Sequence, residues 1–295
     1  MTTSTSITSK SVTSSDGGTI YAESTGDPNK PALILIPGWT LPSFVFDKQF
    51  EDEELRRELH LIRYEPRGHG RSVMPETEEG HASKLYADDF RAVCEAFEVQ
   101  RPVVGAWSLA DQYPPGAIVC DICEHLGSKF ISGVIYMGSL PYLSSTMVPQ
   151  VVPANLVPLV EGLITTSDVA SHKTAVIGFG RSLFIDPDSI PFQTRLAWMA
   201  GTVLQPPAVT QLALFRKQDP SKLFEAGREG LKVFFLQGSD DAHRKSRTVI
   251  VDLVGEHFTQ KEVAVIEGTG HAFFYEKPGE TNRILLDWTR KVVPS

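Results

Sequence analysis

The chain has 295 residues, of which 41% are hydrophobic, so it is long enough to bury a sizeable core as one large domain or as a core domain with an insertion. Its net charge is −8 at pH 7, and its 28 Lys and Arg residues are scattered, which argues against nucleic acid as a partner. No apolar run approaches the roughly 20 residues that span a bilayer, and the first 15 residues are rich in Ser and Thr without an apolar signal segment. We therefore expect a soluble cytoplasmic protein with no membrane partner and with a flexible N-terminal tail over residues 1–15; the sequence does not indicate an oligomeric state.

Short apolar runs bounded by turn residues predict the strands in chain order. A hairpin is predicted around Asp16-Gly17-Gly18, and the run Ala32–Ile36, which stops at Pro37-Gly38, predicts the first buried strand. Apolar residues at helical spacing predict a helix over 87–97. Further buried strands are predicted at 59–64, 103–106, 134–137, 233–236 and 263–266. Strands buried on both faces that alternate with helices are typical of a mostly parallel sheet in an α/β fold.

The segment 144–227 breaks this alternation. It is rich in prolines and aromatic residues and contains no convincing strand pattern. We interpret it as a helical cap inserted between two sheet strands, so that residues 16–143 and 228–295 form the core. The aromatic residues of the cap form either a small core of their own or a wall that faces a ligand, and the sequence leaves both interpretations open.

The three cysteines, Cys94, Cys120 and Cys123, are too few for a disulfide framework. Cys120 and Cys123 have the C-x-x-C spacing of redox and zinc sites. A redox role requires an exposed helix start, however, and two further zinc ligands are not found nearby. We therefore predict two thiols packed on one helix face. No metal site is predicted, because the histidines also lack partners at ligand spacing.

Residues with catalytic chemistry follow three of the predicted strands, where the loops of an α/β sheet converge on one crevice. Ser108 follows one strand, with an alanine two positions to either side, as a tight strand-to-helix turn requires. Asp240 and Asp241 follow another strand, and His271 follows the last. A serine hydroxyl becomes a good nucleophile when an imidazole takes its proton and a carboxylate orients the imidazole. The order Ser, Asp, His therefore predicts a catalytic triad.

These segments resemble the α/β-hydrolase superfamily over nearly the whole chain, from residue 32 to residue 278. The resemblance implies an α/β-hydrolase fold, with a mostly parallel central sheet flanked by helices and a helical cap. The chain is most similar to esterases and to cofactor-free haloperoxidase-like serine hydrolases, partly through Ile131-Ser-Gly-Val-Ile-Tyr-Met-Gly-Ser-Leu-Pro141. The other matching segments are Ile36-Pro-Gly-Trp-Thr40, Tyr64-Glu-Pro-Arg-Gly-His-Gly-Arg-Ser72, Ala106-Trp-Ser-Leu-Ala110, Gly238-Ser-Asp-Asp241 and Gly268-Thr-Gly-His-Ala-Phe-Phe-Tyr-Glu-Lys-Pro278.

The resemblance implies a catalytic role for each member of the triad. Ser108 is the nucleophile, His271 is the general base, and Asp241 orients the histidine. Asp241 is preferred because the acid of the family lies three residues after the glycine of this loop. Asp240 is left as the alternative.

The resemblance also implies an oxyanion hole and a substrate site. The oxyanion hole consists of the backbone N–H of Leu109, next after the nucleophile, and that of Trp39, on the loop after the strand at 32–36. Three aromatic residues in these motifs, Trp39, Trp107 and Phe273, are predicted to bind a small-molecule substrate. Neither a cofactor nor a metal is implied.

Two parts of the chain depart from the family pattern. Pro37-Gly38 stands where the family usually has His-Gly, which preserves the turn. After the nucleophile, Pro114 and Pro115 exclude a continuous helix because each lacks the N–H for a helical hydrogen bond. We predict that 111–115 is inserted before a helix at 117–125, which Gly127 ends. Asp111 then either belongs to an ordinary acidic first turn or alters the site.

Two histidines near these motifs are assigned no catalytic role. The glycines beside His69 favour a role for the backbone of its turn. His243 follows the acid loop, and the sequence leaves open whether it is a surface residue or supports the site.

We expect a serine hydrolase that cleaves a carboxylic ester or lactone of a small, mainly hydrophobic substrate through an acyl-enzyme intermediate. The alternatives are an acyltransferase or lyase on the same scaffold, and a catalytically weakened protein that binds a small ligand. The altered segment 111–116 is the feature that supports the last alternative.

Overall fold

One central sheet organises the protein. The computed structural model describes residues 6–108, 116–144 and 146–293. The strands are β1 (Thr8–Thr13), β2 (Thr19–Gly26), β3 (Ala32–Ile36), β4 (His60–Glu65), β5 (Val103–Trp107), β6 (Gly133–Met137), β7 (Lys232–Gly238) and β8 (Gln260–Ile266). These described strands form an eight-stranded sheet in the order β1-β2-β4-β3-β5-β6-β7-β8. β2 runs antiparallel to both of its neighbours, and the remaining pairs are parallel.

The strands predicted from apolar runs are confirmed in position as β3 to β8. β3 to β6 are buried along their whole length, as the continuous apolar runs require. β8 differs because it is the edge strand: its first residues are exposed, and Val263 is 46% exposed. The expectation of full burial is therefore wrong for this strand.

A flexible tail is expected from the sequence over residues 1–15, but residues 8–13 of this stretch form a strand. Thr8–Thr13 forms β1, which pairs with β2 through the hairpin around Gly17. β1 lies at the sheet edge and is mostly exposed, so it lacks the apolar alternation from which a strand is recognised. Backbone hydrogen bonds to β2 order it instead.

Helices flank the sheet, and the two helices predicted in the core are present. α3 begins four residues before the helix predicted at 87–97 and ends one residue before its predicted end, and α4 begins and ends where the prolines and Gly127 predicted. The helices are α1 (Asp47–Phe50), α2 (Glu53–Glu58), α3 (Ser83–Ala96), α4 (Ala117–His125), α5 (Val148–Val151), α6 (Val157–Ile164), α7 (Val169–Ser182), α8 (Phe192–Leu204), α9 (Pro207–Phe215), α10 (Ser221–Arg228), α11 (Val249–Val254), α12 (Phe273–Glu276) and α13 (Pro278–Val292).

Helices α5 to α10 lie between β6 and β7 in the chain, and no strand occurs among the described residues of this stretch. A buried ion pair ties the end of this region to the core, because both terminal nitrogens of Arg216 contact Asp121 of α4, at 2.9 and 2.7 Å. Bidentate geometry makes such a pair directional as well as attractive. Throughout the described part of the chain, every helix is too short or too polar to cross a membrane.

Candidate active site

Ser108 follows β5 directly, at the carboxyl edge of the sheet. Its φ is 90°, which residues other than glycine rarely adopt, and its N–H donates to the carbonyl of Met137 at the end of β6 (3.1 Å). Strain of this kind persists only where the surrounding structure enforces it, as in the sharp turn that carries a catalytic serine. The side chain is fully buried in this conformation.

Hydrogen bonds join Ser108, His271 and Asp241 in one chain. Nε2 of His271 lies 2.8 Å from Oγ of Ser108, and Nδ1 lies 2.8 Å from Oδ2 of Asp241. An ionised carboxylate can only accept a hydrogen bond, so Nδ1 carries the proton and Nε2 presents its lone pair to the serine hydroxyl. In this arrangement the imidazole is able to take a proton from Ser108.

Of the two adjacent aspartates, Asp241 is the one that contacts the histidine. Asp240 is exposed, and its carboxylate accepts a hydrogen bond from Ser239 instead. Burial raises the pKa of Asp241, but His271 and the guanidinium of Arg244 outweigh burial and hold this pKa well below its ordinary value. Asp241 is therefore ionised at neutral pH.

The acid loop contributes two further residues to the site: Arg244, which the sequence did not indicate, and His243, whose role the sequence left open. Arg244 Nε donates to Oδ2 of Asp241 (3.0 Å), and the N–H of His243 donates to Oδ1 (2.8 Å). The ring of His243 stacks on that of His271, with centroids 4.1 Å apart and planes at 9°. Nε2 of His243 lies 2.9 Å from Oγ of Ser182 in α7. His243 is thus a buried residue that supports the histidine, and proximity to Asp241 was its only sequence signal.

The loop after β3 approaches the serine closely. A Cβ atom added to Gly38 would lie 2.7 Å from Cβ and 3.1 Å from Oγ of Ser108, so only glycine fits there without a shift of one turn. The following residue, Trp39, carries one of the two predicted oxyanion N–H groups. The other predicted donor, Leu109, and the inserted segment 111–115 lie outside the described residues. Gly116, the last residue of the altered stretch, donates its N–H to Oγ of Ser139 (2.9 Å).

The three aromatic residues predicted to bind substrate are all buried. The ring of Trp39 contacts Phe179 of α7 edge-on, and its Nε1 has no acceptor among the described residues. Trp107 donates from Nε1 to the carbonyl of His271 (3.0 Å), and its ring also contacts the imidazole. It therefore supports the loop that carries His271. Phe273 begins α12. Substrate contact by these residues stays a prediction.

The cysteines are buried free thiols. Cys120 and Cys123 lie on α4, as packing on one helix face requires, and burial raises the pKa of each, that of Cys123 to about 12. A protonated buried thiol is a poor nucleophile and a poor metal ligand. In the part of the chain that the structure describes, no cluster of three or more His, Cys, Asp or Glu side chains is arranged to hold a metal ion.

Comparison with known proteins establishes the family. Residues 33–284 match the model of the alpha/beta hydrolase family. This span contains the sheet from the second residue of β3 to the end of β8, together with Ser108, Asp241 and His271. The chain therefore belongs to the alpha/beta hydrolase family, and both the resemblance inferred from its motifs and the predicted fold are confirmed.

Solved structures and curated relatives agree with this assignment. A protein from Burkholderia cenocepacia assigned as an aryl esterase is 25% identical, with a TM-score of 0.83 over 97% of this chain and 99% of that chain. The esterase RhEst1 from Rhodococcus sp. ECU1013 is 22% identical and shares the fold, with a TM-score of 0.81 over 97% and 99% of the two chains. A non-heme chloroperoxidase from Streptomyces lividans is 34% identical over 92 residues, 31% of this chain and 32% of that protein. The chain thus matches only 19–32% of the length of its curated relatives.

Proposed function

We propose that the protein is a serine hydrolase that cleaves a carboxylic ester or lactone through an acyl-enzyme intermediate, without a cofactor. The observation that carries the proposal is the unbroken hydrogen-bonded chain from Ser108 through His271 to Asp241. The positive φ of Ser108 and the close approach of Gly38 support it, because both are needed to bring a serine hydroxyl beside an oxyanion site. The similarity to a protein assigned as an aryl esterase agrees with it.

In the proposed reaction, Oγ of Ser108 attacks the substrate carbonyl while Nε2 of His271 takes the hydroxyl proton. Asp241 stabilises the resulting imidazolium and keeps it in one orientation. The N–H of Trp39 donates to the oxyanion as charge develops on the carbonyl oxygen. The tetrahedral intermediate collapses to the acyl-enzyme as His271 returns the proton to the leaving alkoxide. Water then attacks the acyl-enzyme with the same histidine as base, and the acyl–Oγ bond breaks as His271 returns the proton to Ser108 and the acid leaves.

The surroundings of the triad support a small, mainly hydrophobic substrate. Phe179 contacts both Trp39 and His243 and so joins the oxyanion loop to the ring stacked on the catalytic histidine. The buried indole N–H of Trp39 (Nε1), which is distinct from its backbone N–H, has no acceptor among the described residues and offers one polar contact to an oxygen of the substrate. The side chains of Phe179 and Trp39 provide the apolar contact.

A fluorophosphonate probe tests the proposed nucleophile. We expect one equivalent of label on Ser108, identified by mass spectrometry of the intact protein and its peptides, and a burst of p-nitrophenol from p-nitrophenyl butyrate. Absence of both labelling and turnover would favour a protein that only binds its ligand. Label on another residue would contradict the assignment of Ser108.

Isotopic water separates hydrolysis from related chemistry. Hydrolysis in H₂¹⁸O places one solvent oxygen in the acid product, because water resolves the acyl-enzyme. Transfer to an added alcohol would yield an ester without the isotope, and a lyase reaction would incorporate none. We expect incorporation of the label.

Gly38→Ala tests the close approach of the two turns. The added methyl group overlaps Ser108, so one turn must shift, and we expect kcat for an activated ester to fall by about 100-fold. Gly279→Ala is the matched control, because a Cβ there meets nothing within 4 Å, and its kcat should stay at the wild-type value. Equal kcat values for the two variants would contradict the described contact.

A further inference from the structure

The turn that carries the proposed oxyanion donor contains a strained residue. The N–H of Leu41 donates to the carbonyl of Gly38 (3.0 Å), which closes a four-residue turn with Trp39 and Thr40 at its centre. Thr40 has a φ of 62°, where glycine or asparagine is usual and a β-branched side chain is an outlier. Contacts from outside the turn must therefore hold this geometry.

His69 provides the contact from the core. Its Nε2 lies 3.2 Å from the backbone N of Thr40, and its Nδ1 lies 3.3 Å from the carbonyl of Arg67. Burial lowers the pKa of His69 to about 4, so the ring is neutral at ordinary pH. Only one assignment of its proton satisfies both contacts: Nδ1–H donates to Arg67, and Nε2 accepts from the N–H of Thr40.

The loop that carries His69 is itself anchored. Arg67 is fully buried and makes a bidentate pair with Asp89 of α3, at 2.8 and 2.7 Å. Gly68 and Gly70 flank the histidine with φ values of 81° and 49°. The backbone can therefore turn sharply enough to aim the imidazole at Thr40, and the rigid ion pair fixes its position.

The cap provides a second contact to the same residue. Oγ1 of Thr202 in α8 lies 2.8 Å from Oγ1 of Thr40. The next residue towards the N-terminus, Gly201, packs so tightly that an added Cβ would lie 2.7 Å from the carbonyl of Thr40. Thr40 is thus held from the core by His69 and from the cap by α8.

We propose that His69 is a positioning residue for the oxyanion hole: its Nε2 holds the N–H of Thr40 and so keeps the strained turn in the form that aims the N–H of Trp39 at the reacting carbonyl. Thr202 braces the same residue from the cap. The inference rests on the proposed function, because an oxyanion hole matters only if an oxyanion forms.

A pair of substitutions isolates the hydrogen bond. His69→Phe keeps an aromatic ring of similar volume and removes both ring nitrogens, the acceptor for Thr40 and the donor to Arg67, whereas His69→Gln retains an acceptor near the position of Nε2. We expect His69→Phe to lower kcat by about 10- to 100-fold while KM changes by less than about threefold, because the interaction matters in the transition state. His69→Gln should restore most of kcat. Thr202→Val, which replaces the hydroxyl with a methyl group, should lower kcat by about 3- to 10-fold.

A thionoester provides the readout that a merely structural role would not change. An oxyanion hole stabilises developing charge on oxygen better than on the larger sulfur, so the wild-type protein should prefer an oxygen ester over its thiono analogue. In His69→Phe this preference should fall by about the same factor as kcat. Circular dichroism and thermal melting verify that the variants are folded. If His69→Phe does not fold, the same comparison of the two esters is made with Thr202→Val, which loosens Thr40 from the side of the cap.

The outcomes separate the inference from the proposed function. Equal losses on the two esters, or an unchanged kcat in His69→Phe, would overturn the role of His69 while leaving an active serine hydrolase. Failure of His69→Gln to recover activity would also overturn it. Wild-type protein that neither reacts with the fluorophosphonate nor hydrolyses either ester would overturn the proposed function and this inference with it.

Discussion

Replacement of Ser108 by Ala is expected to lower kcat for an activated ester by about 10⁴- to 10⁶-fold, and replacement of His271 by Ala by a similar factor. The two side chains act as one unit, because the hydroxyl is a weak nucleophile unless Nε2 of the histidine takes its proton. The double variant should therefore lose little more than either single variant. Initial rates with p-nitrophenyl butyrate, with active-site titration of the wild type, measure all three.

The control for these variants is Ser11→Ala, on the exposed strand β1 far from the triad in the sheet, which should retain wild-type kcat. A His271→Ala protein with activity within about tenfold of the wild type would contradict general-base catalysis. The 2.8 Å contact to the serine would then be structural.

Asp241→Asn is expected to lower kcat at neutral pH by about 10⁴-fold and also to lower the melting temperature, because the buried Arg244 loses its charged partner. The amide of asparagine is able to donate to Nδ1 of His271, which would move the imidazole proton to Nε2. The lone pair would then no longer face Ser108. Steady-state kinetics, together with a thermal melt to verify folding, measure the effect.

Asp240→Asn is the matched control, because the same chemical change falls on the adjacent exposed carboxylate. Its kcat should remain within about twofold of the wild type, as for most surface substitutions. If instead Asp240→Asn were the inactive variant, the catalytic acid would have to be reassigned. Because the pKa of Asp241 is held well below its ordinary value, an acidic limb of the wild-type pH profile above about pH 4 reports another group.

Much of the core could be predicted from hydrophobic runs because strands buried on both faces must be continuously apolar. β3 and α4 have the predicted boundaries, the latter because consecutive prolines exclude a helix before residue 117. Strands that are exposed on one or both faces lack such a run and are not recognised from it. β1 and the first half of β8 lie at sheet edges, and backbone pairing orders them without an apolar pattern.

The supporting side chains of the site could not be predicted for a different reason. His243 and His69 carry no spacing signal, because each acts on a residue that is distant along the chain: His243 stacks on His271, and His69 holds Thr40. Arg244 contacts a near neighbour in sequence, yet its burial beside Asp241 depends on how the whole loop folds. Such roles depend on loop conformation rather than on local composition.

The opposite holds for Ser108, Asp241 and His271, whose convergence at one place could be predicted from the chain alone. Parallel strands bring their carboxyl ends to one edge, so a serine, an acid and a histidine that follow three strands must converge there. The resemblance favoured Asp241 and left Asp240 as the alternative, and the hydrogen bond from His271 to Asp241 in the folded protein distinguishes the two and indicates the tautomer of His271. Adjacent carboxylates are chemically alike and differ only in the direction in which they point. A hydrogen bond between residues far apart in the chain requires distances accurate to tenths of an ångström, and only the packing of the folded loops sets these distances.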